Sequence, residues 1–207
     1  MNPKVLDIGL VMVENAITNP QEIINKIEDL DKKRLSVGMG SVWSPWQDDG
    51  RDPFCYQFRL SSKEDLDPRY PFYNEEIELW DILTSTVDNA LEEYFNLYPF
   101  ARANLKGRER PNILKYVSGG ELPPHQDIGV SSRSLSVLSY LNDDYEGGEI
   151  NFPQSNITLK PKAGTIVFFP SNFIYVHTIA KMKSGVRYAI PSWFHNRYDM
   201  YMSDGTE

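Results

Sequence analysis

The sequence predicts a mainly β protein with flanking helices: a double-sheet jelly roll with eight core strands and N-terminal helices packed on one sheet. Three observations lead there. From Pro111 onward the chain divides into eight short apolar runs, at 112–117, 125–128, 134–141, 149–152, 157–160, 165–169, 175–180 and 186–194. The segments between them are mostly turn formers, among them Ser118-Gly119-Gly120, Asn142-Asp143-Asp144, Gly147-Gly148 and Lys183-Ser184-Gly185, residues that supply positive φ or local side-chain hydrogen bonds. Before Pro111, two stretches carry apolar residues at helical spacing, so helices precede the strands and pack to one side of them.

Size and charge bound the reading. A chain of 207 residues with 41% hydrophobic and 24% charged residues has the balance of a globular protein and the length of one well-buried domain. We expect a single domain over 1–207, with 1–110 as helical and strand support carrying a substrate-side loop and 111–195 as the core. The formal charge of -8 repels phosphate backbones and anionic membrane surfaces, which disfavours nucleic acid as a partner. Cys55 is the only cysteine, so no intrachain disulfide forms. The first residues lack the basic start and apolar run of a signal peptide, and no segment approaches the roughly 20 apolar residues of a membrane span. The expectation is a cytoplasmic, soluble protein.

In chain order, 1–13 has the partial alternation of a leading strand. Asn19-Pro20-Gln21-Glu22 has the form of a helix start, with Asn19 as cap, Pro20 at the first helical position and Glu22 reaching back. Ile23, Ile24, Ile27 and Leu30 then form one apolar face to about Lys33. The stretch 36–53 is rich in Gly and Pro and reads as a loop or irregular hairpin. Its Trp43 and Trp46 either fold back on the core or, with Arg51, face a substrate. The segment 54–60 reads as a strand, Asn74 as the start of a second helix with Glu75, Glu76 and Glu78 in its first turn, and 100–110 as a polar connector.

The chemistry centres on Leu122-Pro123-Pro124-His125-Gln126-Asp127. In an extended strand, residues i and i+2 leave one face, so His125 and Asp127 can point at a common position. His177, inside an apolar run, can bring a second imidazole from across a sheet. Two His and one carboxylate occupy one face of an octahedral ion and leave the opposite positions open, as in non-haem Fe(II) oxygenases. Ten residues after His177 comes Arg187, which alternation places on one face with Ala189, Pro191 and Trp193. An inward guanidinium needs an anionic partner; Glu149, Asp127 and the carboxylate of a bound small acid all qualify.

Several stretches together resemble the Fe(II)- and 2-oxoglutarate-dependent dioxygenases, within them the prolyl 4-hydroxylase-like branch. These are Lys115-Tyr116, His125-Gln126-Asp127, Ser139-Tyr140-Leu141-Asn142, Gly147-Gly148-Glu149, His177 and Arg187-Tyr188-Ala189-Ile190-Pro191-Ser192-Trp193. The resemblance implies a double-stranded β-helix with iron held by His125, Asp127 and His177. It implies that Arg187 pairs with the distal carboxylate of 2-oxoglutarate, that Tyr140 donates to the same group, and that Tyr116 and Trp193 line the pocket. It further implies O2 as cosubstrate, succinate and CO2 as products, ascorbate as a supporting reductant, and a peptidyl proline as substrate. A free amino acid, another side chain or a small metabolite would undergo the same chemistry. A reading of another class is a cupin-like metal-binding protein without oxygenase activity, in which Glu149 would join the ligands.

Overall fold

The computed structural model describes residues 1–46, 54–129 and 132–196. Arg51 lies outside them, so its reading as a substrate-side residue has no structural counterpart among the described residues. The order is β1 (Asn2–Asp7), β2 (Leu10–Glu14), α1 (Pro20–Ser36), β3 (Ser44–Pro45), β4 (Cys55–Arg59), α2 (Tyr73–Leu97), α3 (Pro99–Asn104) and β5 (Gly107–Arg108). After them come β6 (Asn112–Tyr116), β7 (Leu122–His125), β8 (Arg133–Tyr140), β9 (Ile150–Phe152), β10 (Ile157–Leu159), β11 (Ile166–Pro170), β12 (His177–Ile179) and β13 (Arg187–His195).

These strands form two sheets, a mainly β architecture. The larger runs β1-β2-β11-β8-β13-β6-β4-β3, with β5 on β13, and the smaller runs β10-β9-β12-β7. Alternation along the central strands of the large sheet serves two cores. Leu135 and Val137 of β8, Ile166 and Phe168 of β11, and Ile190 and Phe194 of β13 pack in one cluster with Ile23, Ile27 and Leu30 of α1 and Leu79, Leu83, Val87 and Leu91 of α2. Leu138 and Tyr140, Val167 and Phe169, and Ala189 turn the other way and meet Ile150, Phe152 and Ile179 of the small sheet. Both faces of these strands are covered, which is why they read as nearly unbroken apolar runs. Among the described residues no helix is long and apolar enough to cross a membrane.

Local details depart from the sequence reading where tertiary contacts decide. The first 13 residues are a hairpin, not one strand: Gly9 takes φ +80°, and β1 folds back on β2 with Val5 opposite Val11. Asn19 does not cap α1 through its side chain. Its own backbone is left-handed (φ 52°, ψ 54°), and its carbonyl accepts the Glu22 N–H at 3.0 Å, so the capping box gives way to a backbone turn followed by Pro20. Helix α1 runs past Lys33 to Ser36, and α2 begins at Tyr73. Glu76, read as an acid in the first turn of the helix, is there and is buried, meeting Arg34 Nη1 at 3.6 Å. The supposed connector 100–110 holds most of α3 and all of β5, whose pairing with β13 sets Arg108 opposite Phe194.

Candidate metal centre and anion pocket

Strands β7 and β12 pair antiparallel, with His125 directly opposite His177 and the two rings 4.2 Å apart. Asp127 reaches them differently from the strand argument. β7 covers 122–125, not 125–128, and Asp127 lies two residues beyond its end. The segment is turned back by the Ile128 N–H, which donates to the Ser171 carbonyl at 2.9 Å, and by Ser136 Oγ, which donates to Asp127 Oδ2 at 2.6 Å. The run 175–180 likewise opens with a turn of 3-10 helix over Phe173–Tyr175 before β12 begins at His177. The result is a cluster in which His125 Nε2 is 3.5 Å from Asp127 Oδ1 and His177 Nε2 is 3.9 Å from Asp127 Oδ2.

The ring orientations are fixed from behind. His125 Nδ1 lies 3.0 Å from the Pro123 carbonyl and His177 Nδ1 lies 3.1 Å from the Tyr175 carbonyl. A carbonyl only accepts, so each Nδ1 carries a proton, and Nε2 is the ring atom turned toward Asp127, free to give up its own proton for a metal-ligand role. Phe169 and Phe152 pack 4.9 and 5.8 Å from His177. Burial there disfavours the imidazolium and lowers the His177 pKa against the pull of Asp127. At His125 burial works the same way, but the hydrogen bond and charge of Asp127 outweigh it and raise the pKa. Burial also opposes ionisation of Asp127, yet the His125 hydrogen bond, the charge of His177 and the Ser136 hydroxyl hold the carboxyl well below the usual range. One ligand atom from each of the three residues fits within a sphere of mutual distances no greater than 4.8 Å. Two neutral Nε2 donors and a carboxylate are a donor set for a divalent cation with open positions. Among the described residues Glu149 is not part of the cluster.

The second feature lies on the facing large sheet, along the face of β8 that carries Ser136. β13 runs beside β8 with Trp193 opposite Ser136, Pro191 opposite Leu138 and Ala189 opposite Tyr140. Arg187 ends this face and is 1% exposed. Its guanidinium lies 5.1 Å from the ring centroids of both Tyr116 and Tyr140. Among the described residues it forms no ion pair, and its Nε and Nη2 have no hydrogen-bond partner, so neither Glu149 nor Asp127 neutralises it. The buried hydroxyls of Tyr140 and Tyr145 are likewise without partners. Burial pushes the Tyr140 phenol up to about 12, so at neutral pH it is a donor. A buried guanidinium and phenol hydroxyls with no protein carboxylate among them match the lone pairs of a small carboxylate.

The remaining sequence-predicted residues are dispersed. Trp193 is half-buried, with the Arg133 guanidinium 3.9 Å above its ring. Trp46 packs edge-on to Tyr116 at 6.1 Å, beside the arginine pocket. Trp43 packs on Phe58 and Tyr188, on the helix-facing side of the large sheet.

Sequence reasoning missed Ser136 and Ser171, whose hydroxyls lie 2.8 Å apart behind Asp127, and Tyr145 in the arginine pocket. It also missed the group at the metal end in which Arg133 Nη2 donates to Glu109 Oε2 at 2.6 Å. Buried His195 brings Nε2 to 2.9 Å from Glu109 Oε1, off the line of a well-formed hydrogen bond. Charged residues at strand termini were the only available signal for Arg133 and Glu109.

Residues 111–195 match the model of the 2OG-Fe(II) oxygenase superfamily. A PKHD-type hydroxylase of Prochlorococcus marinus is 26% identical over 174 residues, covering 82% of this chain and 75% of the relative. Human prolyl 3-hydroxylase 2 is 36% identical over 67 residues, which is 30% of this chain and only 10% of that protein. Among solved structures, a prolyl hydroxylase from Trichoplax adhaerens in complex with a hypoxia inducible factor oxygen degradation domain peptide fragment superposes with a TM-score of 0.66. It is 21% identical, covering 91% of this chain and 84% of that one. The jelly-roll fold is therefore shared.

Proposed function

We propose that this chain is a 2-oxoglutarate-dependent dioxygenase of prolyl hydroxylase-like kind, as its similarity to the 2OG-Fe(II) oxygenase superfamily supports, and that it hydroxylates a peptidyl proline, releasing succinate and CO2. The observation that carries the reading is the placement of two features along one face of β8: a His-Asp-His cluster held by Ser136 at one end, and at the other a buried guanidinium beside Tyr140 with unpartnered Nε and Nη2.

In this reading His125, Asp127 and His177 hold Fe(II), and Arg187 with Tyr140 holds the distal carboxylate of 2-oxoglutarate. Tyr116 and Trp193 wall the cavity. Strands β6 to β13 form the double-stranded β-helix core at 111–195, supported by α1 and α2, within a single domain. Fe(II), 2-oxoglutarate and O2 together supply the oxidising power to put a hydroxyl on a C–H bond. The chain's own residues do the rest. The carbonyls of Pro123 and Tyr175 hold both rings in the tautomer that leaves Nε2 free, and Ser136 keeps Asp127 ionised and aimed. From Ser136 to Tyr140 is four residues, roughly 13 Å of strand. Once side-chain reach is subtracted at both ends, that leaves room for a short dicarboxylic acid. Phe152 and Phe169 exclude water from the His177 side.

A peptide substrate is supported by the rim. Arg133, braced by Glu109 and stacked on Trp193, sets a guanidinium and an indole beside the metal end, groups that suit a peptide carbonyl and an apolar ring. The relatives named for prolyl hydroxylation point the same way.

The test has two stages. Metal-stripped protein titrated without oxygen with Fe(II) and then 2-oxoglutarate is expected to develop the visible charge-transfer band of a chelated keto acid. With O2, proline-containing peptides are expected to gain one oxygen atom in step with succinate, whereas free amino acids do not. The band together with oxygen transfer only to free amino acids or small metabolites would keep the reaction and remove the peptide. No band would remove the co-substrate assignment.

A further inference from the structure

We infer that Tyr145 is a second phenolic donor to the distal carboxylate of the co-substrate, acting beside Tyr140 and Arg187; this rests on the reading of Arg187 as the co-substrate anchor. The hydroxyl is what requires explanation. Tyr145 is buried among Cys55, Leu114, Tyr116 and Met182. A phenylalanine would fill the same space without burying a polar atom. Buried hydroxyls without partners are rare because each loses its hydrogen bonds to water. Here two are orphaned together, Tyr140 Oη and Tyr145 Oη, beside a guanidinium that lacks partners at Nε and Nη2. Both hydroxyls sit in the field of that guanidinium without a well-formed hydrogen bond to it. Three neighbouring donors share one deficit, and a carboxylate, with about four lone-pair sites, can answer all of them.

The backbone is shaped to admit the Tyr145 ring. Gly148 takes φ +67°, and a Cβ there would lie 3.2 Å from Tyr145 Cε2, 3.1 Å from Arg187 Cδ and 2.5 Å from Met182 Sδ. At Gly147 a Cβ would lie 2.1 Å from the Lys181 carbonyl oxygen. Gly148 lets Tyr145 and Arg187 come together, and Gly147 lets the same turn close on the Lys181 backbone. The ring is pinned from outside by Lys160, whose Nζ lies 4.9 Å from its centroid and donates to the Tyr145 carbonyl. Burial raises the phenol pKa, so the hydroxyl keeps its proton for donation.

The consequence is selectivity. Two phenols and a fork of N–H groups reward a second carboxylate strongly and a methyl group not at all, so Tyr145 sharpens preference for a 2-oxo diacid over a 2-oxo monoacid. The experiment is the oxygen-free Fe(II) titration read by the charge-transfer band, on wild type, Tyr145→Phe and Tyr140→Phe, with 2-oxoglutarate and with pyruvate. Pyruvate keeps the chelating keto acid but lacks the distal carboxylate. Thermal melting without co-substrate checks that each variant is folded. The expected result is a 2-oxoglutarate Kd raised roughly ten- to a hundred-fold in Tyr145→Phe, the span of a hydrogen bond to a charged group. Band amplitude at a fixed pyruvate concentration is expected to stay unchanged. A 2-oxoglutarate Kd within two-fold of wild type would overturn the inference, as would equal weakening toward both acids, which marks a wall and not a donor. Failure of wild type itself to bind 2-oxoglutarate would instead remove the underlying assignment of Arg187.

Discussion

The two ends of the cavity are built on opposite principles. At the His-Asp-His cluster the side chains are held from behind by protein: each imidazole Nδ1 has its backbone carbonyl, and Asp127 has Ser136, itself joined to Ser171. At the arginine end Arg187 Nε and Nη2 and the hydroxyls of Tyr140 and Tyr145 are buried without hydrogen-bond partners. The metal end is thus preorganised before any ligand arrives, which keeps the reorganisation on binding small. The arginine end carries an unmet electrostatic demand that a ligand must satisfy. Substitutions should therefore behave differently at the two ends: loss of function with modest effects on folding at the first, loss of ligand affinity with a gain in ligand-free stability at the second.

The largest effect is expected at the cluster itself. His177→Ala removes one of the three proposed ligands and should abolish both the charge-transfer band and succinate formation. Substantial turnover in that variant would show that the cluster is not the metal site. Next is Arg187→Met, which removes the buried charge while keeping much of the volume. Removing one partner of a buried charged pair costs about 3–5 kcal/mol, so 2-oxoglutarate affinity should fall at least a hundred-fold. The ligand-free protein should melt at the same temperature as wild type or higher, because an uncompensated charge has left the core. A large fall in ligand-free melting temperature would mean that the guanidinium is already satisfied, and the contrast between the ends would collapse. Ser136→Ala tests the metal end more gently: loss of the hydroxyl behind Asp127 should weaken Fe(II) binding roughly ten- to a hundred-fold. That is read by competition with a chelator, with little change in 2-oxoglutarate affinity at saturating metal.

How legible these ends were in the sequence differs for a physical reason. His177 and Arg187 interrupt apolar strand runs, and a polar residue inside such a run asks for a partner; His125 and Asp127 were legible by their i, i+2 spacing, although Asp127 lies beyond the end of β7. The turn chemistry between the runs was equally local, and the jelly roll followed from it. The supporting groups depend on pairings between distant segments. Ser136 serves Asp127 because Ile128 is tied to Ser171, the residue that follows β11. Tyr145 comes beside Arg187 because Gly148, with no side chain, leaves the space between them. Nothing near either residue in sequence announces this. Asn19 is the converse case, where a sound local rule for helix caps yielded to a left-handed backbone.

The smallest expected effect concerns the bridge between rim and core. Burial raises the Glu109 carboxyl pKa, but His195 and Arg133 outweigh it and hold it below the ordinary value. A carboxyl depressed by folding stabilises the native state above its unfolded pKa of about 4.3, and that contribution is lost as pH falls through the lower folded value. Glu109→Gln should therefore cost about 1 kcal/mol at pH 7, the range of a partly exposed ion pair, and nothing once both states of the wild type are protonated. Melting temperatures of the two proteins should converge as pH falls below about 4. The same substitution frees Arg133 from its brace over Trp193. It should raise the KM for a peptide substrate while leaving 2-oxoglutarate affinity at the far end of the cavity unchanged. An equal effect on both would mean that the two ends are mechanically coupled through β8 and β13, and that their separate design is only apparent.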